Sequence, residues 1–259
     1  VLAMKLAHGD YVHINRGNHE SVRMNMLFGF QAEATLKYDD QVFHLFSDAF
    51  RAMPVATVVN DSVFVVHGGL SRELTDLSTV ECLDRGREPE HPEGSAAAPS
   101  RAAEEGPVEP PLAEPPAGSL LVDLLWSDPM EQEGFADSLR GSGVRFGPDV
   151  TERFCSTNGL ACVIRSHEMK REGFEWSHRD RCLTVFSASN YCDMWGNSGA
   201  VCDITARPEG GAAAPSPERL LGAAPPRKLS VSDLRVRNFP PTSAHVERVG
   251  TTARFGFFC

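Results

Sequence analysis

The chain has 259 residues with a formal net charge of -10 at pH 7, and 41% of the residues are hydrophobic. This length supports a single globular domain with insertions, and the acidic balance lacks the basic footprint of a nucleic-acid-binding protein. Seven scattered cysteines without paired metal spacing predict reduced thiols and a cytoplasmic or nuclear location. No apolar run approaches the length of a membrane span.

The first predicted elements are the end of a helix and a strand that leads into a turn. Residues 1–7 have the pattern of an amphipathic helix, and residues 11–15 alternate apolar and polar side chains as a half-buried strand does. Gly17 then allows a sharp turn, so that Asn18 and His19 project from the strand's end. Asn18 offers a carbonyl oxygen to a metal, and His19 can bind a metal or transfer a proton. A capped turn before a helix is the alternative.

Two further histidines follow runs of apolar residues in the same way. Val63–Val66 leads into His67, and residues 160–164 lead toward His167. One such histidine alone is more often a buried ring bonded to a carbonyl, but that explanation fails for three together. With Asn18, these histidines form a nitrogen and oxygen ligand set suited to Mn, Fe or Zn with a catalytic water.

The chain between the first and second histidines, and just beyond, predicts helices and a hairpin. Apolar residues from 42 to 50 recur at helical spacing on one face, which predicts packing in the core. Asn60-Asp61 is the predicted hairpin turn. The predicted elements are helices at residues 21–37, 42–53 and 75–83 and strands at 55–59 and 62–66.

Two segments differ from the rest in composition. Residues 86–118 are rich in Pro, Glu, Ala and Gly with almost no large apolar side chain, so they cannot bury enough surface to order themselves. We interpret this segment as a solvated surface insertion, with recruitment of a partner as the less favoured alternative. Residues 207–227 form a second Ala/Gly/Pro-rich stretch of the same kind.

The second half of the chain predicts one clear helix and several strands. Pro148 opens a helix at its favoured first turn, and Gly159 ends it. Arg179-Asp180 is the turn of a predicted hairpin. The remaining elements are a segment at residues 120–127, strands at 174–177, 182–187 and 200–205, and an edge strand within 228–239.

Five sequence blocks, taken in order, resemble the signature blocks of the phosphoprotein phosphatases, the metal-dependent serine/threonine phosphatase family. The blocks are RGNHE at 16–20, HGGL at 67–70, LLWSDP at 124–129, RSHE at 165–168 and FSASNYC at 186–192. Within the family, FGPDV at 146–150 and the stretch 165–190 most resemble the protein phosphatase 5 type. The resemblance covers most of residues 1–85 and 119–205.

The resemblance implies an α/β (α+β) fold, a calcineurin-like metallophosphoesterase β-sandwich flanked by helices. It also implies two metal ions that activate a bridging water for attack on phosphoserine or phosphothreonine. By position, Asn18, His67 and His167 would bind one metal, and His19 would protonate the leaving oxygen. Two further residues would bind the substrate phosphate. These are Arg140 and Tyr191.

Two positions depart from the family pattern. Arg140 is followed by Gly141-Ser142-Gly143 where the family has Gly-Val-Ser, so the loop is expected to hold this arginine differently. The family's two Asp-bearing metal blocks belong upstream of residue 16, and Gly9-Asp10 only superficially resembles one of them. We therefore expect an N-terminally incomplete catalytic domain without its first βαβ part, which supplies ligands mainly for one metal.

The predicted divisions follow the resemblance and the composition. They are a first catalytic part at 1–85, an acidic insertion at 86–118, a second catalytic part at 119–206, a second insertion at 207–227 and a C-terminal segment at 228–259. The expected partners are phosphoprotein substrates, with regulatory proteins left open, and neither nucleic acid nor membrane. Asp123 and Asp128 are expected in structural and substrate-groove roles. Two alternatives stand beside the phosphatase: a non-catalytic phosphatase-like binding module and a nucleotide-directed metallophosphoesterase.

Overall fold

The computed structural model describes residues 1–89, 119–205 and 228–241. The helices are α1 (Leu2–Ala7), α2 (Val22–Leu27), α3 (Phe30–Lys37), α4 (Asp40–Ala52), α5 (Leu77–Glu81), α6 (Leu120–Trp126) and α7 (Pro148–Asn158). The strands are β1 (Ala56–Val59), β2 (Val63–Val66), β3 (Asp128–Pro129), β4 (Phe135–Asp137), β5 (Val144–Phe146), β6 (Cys162–Arg165), β7 (Phe174–Ser177), β8 (Cys182–Val185), β9 (Gly199–Ile204) and β10 (Leu234–Phe239).

A five-stranded sheet positions the site. Its order is β1-β2-β6-β8-β7, and its three inner strands, β2, β6 and β8, are parallel. The outer pairs, β1 with β2 and β7 with β8, are antiparallel hairpins. Because the inner strands are parallel, the chain leaves all three of them at the same edge of the sheet, where open α/β sheets place their ligands.

Side chains alternate between the two faces of this sheet along β2 and β6. Phe64 and Val163 point to a core built with α6 and α7. Val63 and Cys162 point to the opposite face, where the β9-β10 pair packs through Cys202 and neighbouring apolar residues. This period of two is the pattern of a sheet buried on both sides. A sheet on one face and helices on the other give the predicted β-sandwich flanked by helices.

Left-handed backbone positions mark several element ends. Asn60 and Asp61 both have a φ of 48°, which joins β1 to β2 in the predicted hairpin. Gly159, with a φ of 65°, ends α7 as predicted. Gly29, with a φ of 87°, divides the predicted helix 21–37 into α2 and α3, and this break was not predicted. Most residues other than Asn and Asp are strained at such a φ, which explains why glycine stands at positions 29 and 159.

Two other predictions are wrong. Residues 11–15 form no strand: Asn15 instead uses its side chain, donating from Nδ2 to the Val65 carbonyl at 3.1 Å and accepting from Thr57 Oγ1 at 2.7 Å. The segment is thus attached to the β1-β2 hairpin without a backbone ladder. Leu45, expected in the core with its helical neighbours, is 66% exposed, whereas Phe43 and Phe50 are buried. The apolar stripe of α4 is therefore narrower than its sequence suggests.

The predicted low-complexity segments fall largely outside the described residues. This applies to 90–118 and 206–227, and also to 242–259 with Cys259. The first four residues of the predicted insertion, 86–89, are described and contact the body of the domain through Glu88. Within the described ranges, no helix combines the length and apolar character needed to span a membrane.

Candidate metal and phosphate site

Two histidines lie side by side at the edge where the parallel strands end. His67 directly follows β2, and His167 comes two residues after β6. Their ring centroids are 5.1 Å apart, and the Ser166 amide donates to the His67 carbonyl at 3.0 Å. His167 has a left-handed backbone, with a φ of 66°. The prediction that separate strands deliver these two imidazoles to one place is therefore supported by the geometry.

Asn18 joins the histidine pair from the N-terminal turn. Its Oδ1 lies 2.8 Å from His67 Nε2, and the residue is only 3% exposed. The turn can approach His67 closely because residue 17 is glycine. A Cβ there would lie 3.2 Å from the His67 ring and 2.5 Å from Glu20 Oε2. Gly17 thus permits both the turn and the close contact with His67.

His19 follows Asn18 in the same turn. Asn25 Nδ2 donates to the His19 carbonyl at 2.6 Å, and the imidazole packs against Phe28 with ring centroids 4.8 Å apart. Burial lowers the pKa of His19 to about 4. A charge on His19 would also lower the pKa values of His67 and His167, which reflects its proximity to both.

Burial keeps the paired histidines neutral. Burial first, and then the nearby guanidinium of Arg165, lower the pKa of His67 to about 3. The pKa of His167 is also lowered well below its ordinary value, first by burial and then by the neighbouring His67. Neutral imidazole is the form that binds metals.

The donor set fits a divalent metal ion. His167 Nε2 is buried and has no hydrogen-bond partner among the described residues, the condition of a nitrogen that a ligand would satisfy. The two imidazoles and the amide oxygen of Asn18 are donors that first-row dications accept. No cluster of three or more His, Cys, Asp or Glu side chains suited to a metal occurs in residues 1–89, 119–205 and 228–241. The donors identified here therefore number three, one of them an amide.

Arg140 lies beside this set, held by a carboxylate. Its Nε donates to Asp128 Oδ2 at 2.7 Å, and Asp128 Oδ1 accepts from Arg165 Nη2 at 2.8 Å. Arg165 is fully buried and also donates to the Gly68 carbonyl at 2.6 Å and to Glu168 Oε2 at 2.8 Å. One carboxylate thus orients an exposed and a buried guanidinium, despite the altered glycine-containing loop after Arg140.

The structure assigns Asp123 and Asp128 to different environments. Asp123 is buried in α6, where Oδ2 accepts from Ser71 Oγ at 2.6 Å and burial raises its pKa to about 6. Asp128 instead binds the two arginines. The two carboxylates have separate partners, as expected for residues that are not a catalytic pair.

Tyr191 lies in the loop after β8, the third strand that ends at this edge. Its amide donates to Asn197 Oδ1 at 2.8 Å, and its ring packs edge-on against Phe186 with centroids 5.2 Å apart. The following Cys192 is exposed with a φ of 55°. The loop is therefore fixed at Asn197 and Phe186, and the contact of Tyr191 with a substrate phosphate stays a prediction.

Sequence reasoning missed two supporting residues, Arg16 and Glu88. Arg16 was named only as the first letter of a block, yet it is fully buried and donates from Nε to the Glu20 carbonyl at 2.8 Å. Glu88 was assigned to a solvated insertion, yet it accepts from the amide of Val22 at 2.9 Å. The one sequence signal for Arg16 is its place directly before a tight turn. Nothing distinguishes Glu88 from the other acidic residues of its segment.

The fold and the donor set together define a metallophosphoesterase. A family model for calcineurin-like phosphoesterases matches residues 1–171, and the chain belongs to that family. The family implies divalent metal ions.

Relatives of known name narrow the resemblance further. The chain is 40% identical over 203 residues to serine/threonine-protein phosphatase T of Schizosaccharomyces pombe and 40% identical over 198 residues to serine/threonine-protein phosphatase 5 of Homo sapiens. These alignments cover 78% and 76% of this chain but 38% and 34% of the relatives, so the chain spans little more than a third of their length. The predicted resemblance to the protein phosphatase 5 type is confirmed.

The fold of this chain is also similar to that of a solved phosphatase structure. It is a Saccharomyces cerevisiae protein serine/threonine phosphatase described as similar to human phosphatase PP5. It superposes with a TM-score of 0.70 at 30% identity, over 93% of this chain and 64% of that chain. The predicted fold class is thereby confirmed.

Proposed function

We propose that this chain forms part of the catalytic domain of a protein serine/threonine phosphatase that hydrolyses phosphoserine and phosphothreonine. The observation that carries the proposal is the convergence of Asn18 and His67 at 2.8 Å, with His167 beside them. Its named relatives are serine/threonine-protein phosphatases.

Three residues would hold one metal ion in this site. These are Asn18, through its amide oxygen, and the imidazoles of His67 and His167. A bound dication would lower the pKa of a water and neutralise charge on the phosphoryl oxygens. We propose two ions, of Mn, Fe or Zn, in the complete family site, and this chain supplies the ligands mainly for one.

His19 is proposed as the general acid for the leaving serine or threonine oxygen. Its pKa of about 4 leaves the imidazole neutral at pH 7 before substrate arrives. A phosphoryl dianion beside the ring favours its charged form and so raises this pKa toward the working range. The proton can then pass to the alkoxide, which would otherwise be a poor leaving group.

Arg140 and Tyr191 are proposed to bind the phosphate. A guanidinium fork can donate two parallel hydrogen bonds to phosphoryl oxygens. Asp128 holds Arg140 through Nε at 2.7 Å, and the side chain is 38% exposed, which supports its availability to substrate. The substrates are proposed to be phosphoproteins in the cytoplasm or nucleus. Free thiols at Cys82 and Cys192 agree with a reducing compartment.

The test is a His19→Ala variant of the complete catalytic domain, assayed on a phosphoserine peptide with Mn²⁺. Loss of a general acid is expected to lower turnover by about 10²–10⁴-fold. His13→Ala is the matched control because His13 is an exposed histidine of the same segment, and it should keep full turnover. Full turnover in the His19 variant would contradict the assigned role.

Two alternatives are separated by simple measurements. A non-catalytic binding module would bind phosphopeptide without hydrolysing it. This alternative stands because the described residues supply one set of three metal donors. A nucleotide-directed metallophosphoesterase would hydrolyse a dinucleoside polyphosphate faster than the phosphopeptide. Metal analysis is expected to find about one weakly bound ion per chain or none, because three donors hold at most one ion. Two bound ions per chain would contradict the proposal that this chain supplies ligands mainly for one metal.

A further inference from the structure

A short segment after α5 is fastened to the turn that carries Asn18 and His19. We call residues 85–88 the latch segment. Arg16, which is fully buried, donates from Nη1 to the carbonyl oxygens of Arg85 and Arg87, each at 3.1 Å. The backbone of the latch segment therefore satisfies a guanidinium that has no access to water. Such a buried charge requires partners, and the fold supplies them from a distant part of the chain.

The carboxylate of Glu88 contacts both ends of the same turn. Oε2 accepts from the Val22 amide at 2.9 Å, at the first residue of α2, and Oε1 lies 3.5 Å from Arg16 Nη2. Arg16 precedes the turn and Val22 follows it, so one side chain bridges the two points where the turn joins the rest of the fold. Arg51 at the end of α4 lies 3.5 Å from the same Oε1 and holds the carboxylate from outside.

The middle of the turn has contacts of its own: the His19 carbonyl accepts from Asn25 Nδ2 at 2.6 Å, and Asn18 Oδ1 lies 2.8 Å from His67 Nε2. Within it, Glu20 Oε2 accepts from the Gly17 amide at 2.9 Å, which closes the turn on itself. The backbone is joined to the sheet side by one hydrogen bond, from the Arg16 amide to the Pro54 carbonyl at 2.7 Å. The segment before it forms no strand. Glu88 therefore supports the two ends of the turn, at Arg16 and Val22, while its middle is held by Asn25 and His67.

We propose that Glu88 is a positioning residue that sets the place of Asn18 and His19 by fastening both ends of their turn. The proposal rests on the proposed function for the roles of these two residues. Glu88 itself does not touch substrate or metal; it acts through Arg16 and the Val22 amide. Groups that hydrogen-bond a metal ligand directly typically contribute about 10–100-fold to metal affinity, and Glu88 acts one contact further from the ligands.

The test compares three variants of the full chain. Glu88→Ala removes every contact of the carboxylate. Glu88→Gln keeps an oxygen that can accept from the Val22 amide but removes the charge facing the arginines. Glu81→Gln is the matched control, because Glu81 is an exposed glutamate of α5 a short distance before the latch segment. Each variant is measured for amide hydrogen exchange without metal and for Mn²⁺ affinity.

Glu88→Ala is expected to accelerate exchange in a peptide covering residues 16–22 while the peptides of β6 and β8 keep their protection. Its Mn²⁺ affinity should fall by about tenfold, the lower end of the range for such partners. Glu88→Gln should lie between Glu88→Ala and the wild type in both measurements, and Glu81→Gln should match the wild type.

Two results would overturn the proposal. One is unchanged exchange at 16–22 in a folded Glu88→Ala protein. The other is a uniform rise in exchange across all peptides, which would show a general loss of stability instead of local positioning. The exchange measurement needs neither metal nor substrate. Full turnover of the His19→Ala variant would therefore contradict the proposed function and leave this test intact.

Discussion

The two halves of the candidate site are held in different ways. His67 and His167 follow strands of a paired sheet, so the backbone ladder of β2 and β6 fixes where their chains emerge. Asn18 and His19 sit in a turn outside any sheet, held by Arg16 and Glu88. We call His67 and His167 the strand half of the site, and Asn18 and His19 the turn half. The strand half thus depends on many cooperative backbone hydrogen bonds, and the turn half depends on a few individual side chains.

This difference indicates which half of the site opens more easily by local unfolding. Regions with few ladder bonds open locally at lower free energy than core strands do. We expect changes in the strand half to unfold the domain, and changes in the turn half to loosen ligand geometry while the domain stays folded. The three substitutions below test this contrast.

Gly68→Ala should give the largest effect, on the strand half. A Cβ at Gly68 would lie 2.5 Å from the Leu125 carbonyl carbon and from the Trp126 nitrogen, both backbone atoms of α6. Backbone cannot move aside as a flexible side chain can, so the expected loss of unfolding free energy is about 3 kcal/mol. Urea denaturation measures it.

The control for this variant is Gly9→Ala, where the nearest atom, the Lys5 carbonyl oxygen, is 3.5 Å away. That contact is an ordinary one, so no loss of this size is expected. Equal stability of the two variants would contradict the close packing of the strand half against α6.

Asp123→Asn, in the helix α6 that packs on the sheet, should stabilise the domain in a pH-dependent way. Burial raises the pKa of Asp123 to about 6, so the folded state favours the neutral acid. The stability this provides is complete below about pH 4 and is lost as pH rises through about 6. An amide stays neutral, and we expect it to add about 1–2 kcal/mol at pH 8. The gain should shrink at pH 5.

Thermal unfolding at both pH values checks this prediction. Asp10→Asn is the control because Asp10 is an exposed aspartate, and its effect should be small at either pH. A gain of equal size at pH 5 and pH 8 would mean that the Asp123 carboxylate is not the source of the pH dependence.

Ser21→Ala should give the smallest loss of stability and the sharpest contrast. Ser21 caps α2 by accepting from the Met24 amide at 3.4 Å, and Ser119 caps α6 by accepting from the Val122 amide at 3.3 Å. Loss of either cap should cost about 1 kcal/mol. Only Ser21 adjoins the turn half, so only its alanine variant should also weaken Mn²⁺ binding. Equal Mn²⁺ affinity in the two variants would remove the distinction between the halves.

The sequence predicted the strand half well because it rests on local patterns. Strands that alternate between two buried faces, the turn at Asn60-Asp61 and the helix stop at Gly159 are all written in neighbouring residues. The positions of His67 and His167 then follow from parallel strands ending at one edge. Here the structure agrees with the prediction closely.

The turn half was less predictable because its support is non-local. Residues 11–15 alternate like a strand, but no neighbouring strand pairs with them in the described structure, and the side chain of Asn15 takes over the attachment. Glu88 lies 66 positions from Val22 along the chain, within a segment whose composition suggested only solvent contact. Composition describes an average, and one carboxylate at a buried guanidinium departs from it.

Asp128 divides its two oxygens between Arg140 and Arg165, and the chain of ion pairs continues through Glu168 to Lys170. Lys170 also pairs with Glu175, so three cations alternate with three anions and the network is neutral, on a molecule whose overall charge is -10. The net negative charge of the molecule repels a phosphate dianion, but salt screens this repulsion beyond about 8–10 Å at physiological ionic strength. The attraction between the phosphate and Arg140 acts at contact. Added salt should therefore increase the association rate of an acidic phosphopeptide more than it weakens the contact between the bound phosphate and Arg140.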